Sequence, residues 1–276
     1  MRCGRIAYTN DLPIYGAFDA GALRFPGSLH PAVPSRLNAM LLGGELDMSP
    51  ISAFEWAKHA EDLILLPDLC IGARAEVVSV VLVSPVALAL LGNATVYVTD
   101  ESATGRNMLR ILLERRYGVS PTYAVEAQPF ERARAGEPAL LIGDRAIDAV
   151  EAFPGERIYD LGRLWNEWTG EQSVFAVWAA RRDACERDPA AVRACMRALT
   201  DAYAWSDTHM HAILEGAQRA IPRPAGFYEK YYAALNFNFD APAQRGLAAF
   251  CRELHAIGAI ERVPPVSPEA VDAIAG

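Results

Sequence analysis

The pattern of hydrophobic and polar positions is most regular in residues 95–118. Residues 95–98 have the β-branched and aromatic content of a buried strand, and a polar run follows them without Gly or Pro. Apolar residues at helical spacing then predict a helix that ends at Gly118, with Ser102 or Thr104 as its N-cap. The free N–H groups and partial positive charge of such a helix N-terminus favour binding of a small carboxylate. Capping alone would explain both hydroxyl groups equally well.

A strand, a polar loop and a helix succeed one another along most of the chain. The pattern predicts helices behind Pro34 and from Phe54 to His59, and it predicts only helices after Arg182, with Asp188 and Asp240 as N-caps. Such alternation is typical of a parallel, doubly wound α/β sheet. Strands are predicted at residues 1–8, 45–48, 63–66, 77–83, 95–98, 122–125, 139–142, 157–159 and 175–179.

The predicted strands indicate two α/β lobes. The 276 residues exceed the usual size of a single domain. We expect the first lobe to comprise residues 1–84 and 176–276, including the C-terminal helices, and the second to comprise residues 85–175. The strands at residues 78–83 and 175–179 would cross between the lobes and act as a hinge. Ligands of such proteins lie between the lobes, where the strand-end loops of both meet.

Composition and charge narrow the classes of function. Hydrophobic residues make up 52% of the chain and charged residues 22%, which excludes disorder. No apolar run reaches the roughly 18 residues that a membrane-spanning helix needs. The net charge of −8 and the lack of basic blocks argue against a nucleic-acid or membrane partner. An anionic ligand must therefore be held by local groups.

The N-terminal residues and the cysteines bear on the compartment. Residues 1–8 contain neither an apolar signal-peptide core nor a small-residue cleavage site, so we expect a cytoplasmic protein. The five cysteines are widely spaced and form no C-x-x-C pair, which fits reduced thiols. His209 and His211 would lie on different faces of a helix, and we predict no metal site. The sequence leaves both a monomer and a homodimer open.

The signatures of the common catalytic classes are absent. The chain has no G-x-G-x-x-G, no Walker loop, no G-x-S-x-G and no H-E-x-x-H, which are the usual motifs of dinucleotide, phosphate, acyl-transfer and zinc-hydrolase chemistry. Hydrogen-bonding residues remain on the predicted strand-end loops, and they suit binding of a polar organic anion more than attack on it. They are Asn10, Ser49, Ser52, Ser79, Ser102, Thr104 and the charged Asp144.

Six segments together resemble the menaquinone-biosynthesis chorismate dehydratases of the futalosine pathway. They are GRIAYTNDLP (4–13), GELDMSPIS (44–52), LLPDLCIG (65–72), ESAT (101–104), LLIGD (140–144) and WNEWTG (165–170). The likeness runs in order from about residue 5 to residue 182, and its specificity lies in the combination. The resemblance implies a two-lobed α/β fold like that of type II periplasmic binding proteins. It also implies a lyase that removes water from chorismate without a cofactor and yields 3-enolpyruvylbenzoate.

The resemblance also assigns roles to residues of this chain. It places Asn10 at the chemical step, where a neutral amide would orient the substrate or hydrogen-bond the departing hydroxyl, while a substrate carboxylate could be the base. Loss of the ring hydroxyl with a ring proton makes an aromatic ring, so the reaction needs positioning more than a potent catalyst. An Asn that only closes a turn is the alternative. The implied substrate contacts are Ser49, Ile51, Ser52, Ser79, Ser102, Ala103, Thr104 and Asp144.

Three positions depart from the family or allow two interpretations. Val78 stands before Ser79, where the family usually has Gly, and Arg106 replaces a small or apolar residue. Arg106 would either pair with a substrate carboxylate or remain solvated at the surface. Asp144 would either cap the segment that follows Gly143 or face the cleft.

Two other functions stay open. The sister enzyme of the pathway, dihydroxynaphthoate synthase, shares the fold but usually carries His directly after the strand at residues 140–142, where this chain has Gly143. A non-catalytic binding protein for a small organic anion would share the hinge and the cleft, but it normally needs an export signal.

Overall fold

The computed structural model describes residues 1–268, which form two β-sheets with helices packed against them. The eleven strands of this part of the chain are, in order, β1 (Arg2–Ile6), β2 (Ser28–Ala32), β3 (Met48–Ser52), β4 (Leu63–Ala73), β5 (Val80–Val83), β6 (Thr95–Val98), β7 (Thr122–Val125), β8 (Ala139–Ile142), β9 (Ile158–Asp160), β10 (Ser173–Arg181) and β11 (Leu235–Asn238). The first sheet has the order β11-β4-β10-β3-β1-β2, and the second has the order β7-β6-β8-β5-β9.

Twelve α-helices connect and cover the sheets within the same residues. They are α1 (Leu12–Asp19), α2 (Pro34–Leu42), α3 (Ala53–Lys58), α4 (Ala103–Ile111), α5 (Pro129–Arg134), α6 (Gly143–Ala152), α7 (Leu161–Thr169), α8 (Arg182–Arg187), α9 (Pro189–Thr208), α10 (Met210–Ala220), α11 (Phe227–Ala234) and α12 (Ala241–Ala256). No helix of the described chain is both long and apolar enough to cross a membrane.

Local sequence signals predict several elements correctly. Three of the predicted strands are confirmed with their bounds, as β6, β7 and β8. Ser102 rather than Thr104 is the N-cap of α4, since its Oγ accepts a hydrogen bond from the N–H of Gly105 at 3.0 Å. Asp188 and Asp240 cap α9 and α12 as predicted. Each of these features depends on residues that are close together in the chain.

The sheets are mixed rather than wholly parallel, which corrects the prediction of a doubly wound parallel sheet. β1 pairs in parallel with β2 and β3, and β6 pairs in parallel with β7 and β8. β10 is antiparallel to both β3 and β4, and β5 is antiparallel to both β8 and β9. A parallel neighbour needs a crossover connection within one sheet. β5 and β10 instead arrive directly from the other sheet, and each runs opposite to its neighbours.

The chain passes between the sheets at two short connections. It leaves β4 after Ala73 and enters β5 at Val80, and it returns between Thr169 and Ser173. The two strands expected to cross between the lobes correspond to β5 and β10, and each of these lies within a single sheet. We propose to divide the lobes at these connections, so that β5 belongs to the second lobe and all of β10 to the first. Residues 269–276 of the expected first lobe lie outside the described residues.

β11 contradicts the prediction of only helices after Arg182, and β3 and β4 differ most from their predicted bounds. The strand predicted at residues 45–48 begins at Met48 and continues through Ser52, so the expected polar loop is part of the strand. β4 runs without a break from Leu63 to Ala73 and includes Pro67. Both strands pair with β10, which lies between them in the sheet. The partner that sets their bounds is distant in the sequence, so the local pattern does not show it.

The carboxylate of Asp47 fastens β1 to the start of β3. It accepts hydrogen bonds from the backbone N–H of Arg2 at 2.8 Å and from the Arg2 guanidinium at 2.7 Å. The Arg187 guanidinium of α8 lies 2.9 Å away. The hydrogen bond from the Arg2 side chain lowers the pKa of Asp47 to about 2. The ionised side chain therefore stabilises the folded state.

Asp47→Asn should lower the free energy of unfolding at pH 7 by about 2 kcal/mol, because the folded pKa lies below the ordinary value. A depressed pKa stabilises the folded state above the unfolded pKa near 4, and this contribution is lost as the pH falls toward 2. Chemical denaturation at pH 7 and pH 3 measures the loss, which should shrink at the lower pH. The exposed Asp201→Asn is the matched control. An equal loss at both pH values would contradict the ion-pair explanation.

Candidate functional site

A cavity lies between the two sheets, at the ends of their strands. It encloses about 630 Å³ of empty space, part of it open to solvent. Residues at or directly after the ends of β1, β3, β6 and β8 contribute to its wall, because an open α/β sheet forms a crevice at the carboxyl ends of its parallel strands. The wall includes these expected site residues: Asn10, Ile51, Ser52, Ser79, Ser102, Ala103 and Thr104.

Three helices begin at the wall of this cavity. α2 begins at Pro34, α4 at Ala103 and α6 at Gly143, and these three residues line the wall. None of the lining residues in the described chain is Lys, Arg or His, so Arg106 lies outside the wall. Free N–H groups and helix dipoles favour a bound anion. Within residues 1–268, no three His, Cys, Asp or Glu side chains are grouped so that they could hold a metal ion.

Asn10 has an amide oxygen that lacks a protein partner. It lies in the short 3-10 turn Thr9–Asp11 that follows β1, and its Oδ1 is buried without a hydrogen bond to any described residue. An Asn that closes a turn would use this oxygen on the backbone. Burying an unpaired acceptor is unfavourable, and a ligand hydroxyl would satisfy it. The geometry thus favours ligand binding over the turn-closing alternative.

Thr104 lines the cavity, but its hydroxyl is fully engaged with the first lobe. It donates to the carbonyl of Phe175 at 2.9 Å and accepts from the N–H of Phe54 at 3.2 Å. The Ser52 hydroxyl lies 2.8 Å away and is the donor of that pair, because the Thr104 proton is already used. A hydroxyl has one proton and two lone pairs, so none remains for a substrate. Thr104 therefore joins the lobes, which argues against the expected carboxylate contact.

Ser49 and Asp144 do not line the cavity, and their expected role as substrate contacts stays a prediction. Ser49 is fully buried in β3, where its hydroxyl faces Gly4 and donates to the carbonyl of Pro50 at 2.8 Å. Ser49 is further from the carboxyl end of β3 than Pro50, Ile51 and Ser52, which line the cavity. Asp144 lies in the first turn of α6 and accepts a hydrogen bond from the Thr9 hydroxyl at 2.5 Å. Its carboxylate neither caps the helix nor faces the cavity.

Tyr8 and Glu101 line the cavity from opposite lobes, and sequence reasoning missed both. The Tyr8 hydroxyl donates to the Glu101 carboxylate at 2.5 Å. Burial and this carboxylate raise the pKa of Tyr8 above its ordinary value, so the hydroxyl stays protonated. The Tyr8 ring packs on Gly143, where an added Cβ would lie 3.2 Å from it. Their positions could have identified them, because both residues follow strands within the segments that carry the resemblance.

Solved structures define the class of protein. The alkanesulfonate-binding protein from Xanthomonas axonopodis pv. citri, solved with MOPS, has a TM-score of 0.69 at 15% identity, over 100% of this chain and 97% of that one. The periplasmic aliphatic sulphonate binding protein of Escherichia coli has a TM-score of 0.66 at 15% identity, over 98% of this chain and 92% of that one. This chain therefore has the two-lobed periplasmic-binding-protein fold that the resemblance implies.

Sequence comparison defines the family. A family model described as menaquinone biosynthesis matches residues 1–256. The chorismate dehydratase of Thermus thermophilus is 32% identical over 262 residues, covering 90% of this chain and 92% of that enzyme. The chain belongs to this menaquinone-biosynthesis family of enzymes, which confirms the family predicted from the six segments.

Thr104→Val should lower the free energy of unfolding by about 1–3 kcal/mol, because it keeps the shape but leaves the N–H of Phe54 and the carbonyl of Phe175 unpaired. Ser102→Ala should lower it by only about 1 kcal/mol, the usual scale for a lost N-cap. Urea denaturation measures both. Thr200→Val is the control, since that hydroxyl bonds only within its own helix. A Thr104→Val protein with wild-type stability and weaker ligand binding would return Thr104 to the substrate contacts.

Proposed function

We propose that the protein is a cofactor-independent hydro-lyase that converts chorismate to 3-enolpyruvylbenzoate in menaquinone biosynthesis. The observation that carries this proposal is a cavity bordered by helix N-termini, which suit carboxylates, and by the unpaired Oδ1 of Asn10, which suits a hydroxyl. The relative from Thermus thermophilus, a chorismate dehydratase, supports the choice of substrate.

The cavity offers a separate group to each part of chorismate, which has two carboxylates and a ring hydroxyl. In the proposed complex, Ser102 and the first N–H groups of α4 hold one carboxylate, with Ala103 at the wall. The second carboxylate lies toward Ser79 on the crossing segment, because the Ser52 proton is already donated to Thr104. Apolar wall residues pack on the ring and keep water out. They include Ile6, Ile51, Ile71 and Val80.

The proposed reaction breaks one C–H bond and one C–O bond of the substrate. A carboxylate of the substrate takes the ring proton, and the electron pair of the C–H bond forms the new ring double bond. As this double bond forms, the C–O bond breaks with its electron pair on oxygen, and the departing hydroxide takes the proton from the newly formed carboxylic acid and leaves as water. Oδ1 of Asn10 accepts from the ring hydroxyl in the ground state, and Nδ2 stabilises the negative charge that develops on the departing oxygen. Because the product ring is aromatic, orientation is the main requirement.

Gly143 argues against the dihydroxynaphthoate synthase alternative. A His at this position would place its Cβ against the Tyr8 ring, on a backbone whose φ of +57° is unfavourable for residues other than glycine. The non-catalytic alternative shares the fold, and a direct assay of water loss decides between it and the enzyme.

Contacts between the lobes support the proposal that the cavity opens to admit substrate and closes on it. Arg223, whose side chain is 5% exposed, follows α10 and lies 2.7 Å from Asp148 and 3.0 Å from Glu151 on α6. The hydrogen bond from Thr9 to Asp144 joins the same helix to the first lobe. Contacts of this kind stabilise a closed state and have to break when the hinge opens.

We also propose a cytoplasmic location for this biosynthetic enzyme. Cys3, Cys70, Cys195 and Cys251 form no disulfide and are buried. Reduced cysteines are typical of proteins in reducing compartments.

Asn10→Ala should lower the single-turnover rate by about 10²–10³, the usual loss for one donor to a developing oxyanion, and should weaken ground-state binding far less. Mass spectrometry of chorismate and 3-enolpyruvylbenzoate measures the rate, and thermal denaturation checks the fold. Asn93→Ala, at an exposed position, should be without effect. A folded Asn10→Ala protein with unchanged turnover would remove Asn10 from the site. A wild-type protein that binds chorismate but never releases water would overturn the proposed function.

Saturating 3-enolpyruvylbenzoate should reduce the radius of gyration in small-angle X-ray scattering, because closure brings the lobes together. Arg223→Gln should need at least about tenfold more ligand for the same compaction, since it removes the partly buried ion pairs with Asp148 and Glu151. Arg145→Gln is the matched control and should leave the midpoint unchanged, because that side chain is 78% exposed. If calorimetry confirms binding but no compaction occurs, the cleft is rigid.

A further inference from the structure

Val78 adopts a backbone conformation that a β-branched residue rarely takes. Its φ is +64°, and in the described part of the chain Asp68 is the only other non-glycine residue with a positive φ. The N–H of Ser79 donates to the carbonyl of Val77 at 2.6 Å, so Val78 is the central residue of a three-residue turn. This form of the γ-turn is rare and strained. Such strain persists only where the surrounding structure holds it.

The buried carboxylate of Asp160 holds this turn. Its Oδ2 accepts from the N–H of Val78 at 2.7 Å, and both of its oxygens lie 3.1 Å from the nitrogen of Val77. Two successive N–H groups converge on one anion where a left-handed residue makes the backbone concave. Asp160 is 6% exposed and ends β9, which pairs with β5. Charge-assisted hydrogen bonds of this kind are about twice as strong as neutral ones.

The turn determines where Ser79 lies in the cavity wall. Val77 and Ser79 line the cavity, whereas Val78 between them does not. The N–H of Ser79 donates to the carbonyl of Val77, and the carbonyl of Ser79 accepts from the N–H of Gly143 at 2.8 Å. Both backbone groups of Ser79 are therefore fixed. Its hydroxyl makes a long bond of 3.3 Å to the Val77 carbonyl, interacts with the buried Tyr231 side chain, and can turn toward a ligand.

We propose that Asp160 is a positioning residue: by holding Val78 in the left-handed conformation, it places the Ser79 hydroxyl for the substrate. Asp160 does not line the cavity, so it acts through the turn. The inference rests on the proposed function, since Ser79 meets chorismate only if this cavity is the active site.

Asp160 also caps α7, and this structural role has to be separated from the positioning role. Its Oδ1 accepts from the N–H of Arg163 at 2.9 Å. Asp240 makes the same kind of cap on α12, where its Oδ1 accepts from the N–H of Ala243 at 3.0 Å. Asn caps a helix about as well as Asp. Asp160→Asn therefore keeps the cap of α7. Its single side-chain oxygen then has to accept the hydrogen bonds from the N–H groups of both Val77 and Val78.

Asp160→Asn should lower kcat for chorismate by about tenfold or more and change KM less, because Ser79 is displaced from the position that the reaction needs. Adding Val78→Gly should restore kcat to within about threefold of wild type, since glycine adopts a positive φ without strain. Val78→Gly alone should stay close to wild type, as should the cap control Asp240→Asn. Thermal denaturation checks that each variant is folded.

Two kinetic outcomes would overturn the proposal. An Asp160→Asn enzyme with wild-type kcat would reduce Asp160 to a helix cap. A defect that Val78→Gly leaves unchanged would show that Asp160 acts through other atoms.

Crystal structures of the variants test the same claim without turnover. Val78 should lose its positive φ in Asp160→Asn, and the glycine of the double variant should keep one. A Val78 that stays near +64° in Asp160→Asn would also overturn the proposal. If the wild-type protein does not dehydrate chorismate, the proposed function fails, and these φ values still decide whether Asp160 holds the turn.

Discussion

The attraction of an anion to this cavity has to come from the backbone, because no cationic side chain lines it in the described chain. A helix dipole acts only within the first turn, so the first residues of α2, α4 and α6 have to lie at the wall. The sheets meet this requirement by ending β1 and β3 of one lobe and β6 and β8 of the other at a common crevice. In the proposed complex, a chain with a net charge of −8 thus keeps a local site for carboxylates.

Polar side chains at the strand ends divide into two groups once the lobes are assembled. The amide oxygen of Asn10 has no hydrogen-bond partner in the protein, which suits a group that binds a ligand. Thr104 and Asp144 instead hydrogen-bond to the opposite lobe. Polar residues of the same chemical type therefore either remain available to a ligand or hold the two lobes together, depending on the atoms that surround them. The sequence alone does not distinguish these two roles.

Local sequence patterns predict β6, α4 and the Ser102 cap because all their determinants lie within a few residues. The burial of Ser49 depends on where β3 begins, which is set by pairing with β10. Glu101 was missed because a carboxylate is unexpected in a site for anions, and only its bond to the Tyr8 hydroxyl explains it. The departure at Val78 is visible in the sequence, but its left-handed backbone depends on a carboxylate 82 residues further along.

The place of β10 in the first sheet has a consequence for the order in which the protein is made. β10 lies between β3 and β4 and pairs with both, yet it is synthesised after every strand of the second sheet. The second lobe can fold while the chain is still emerging, whereas the first sheet stays divided until Ser173–Arg181 has left the ribosome. Until then β3 and β4 present unpaired edges to other chains. The lobe that contains the N-terminus is therefore the last to be completed.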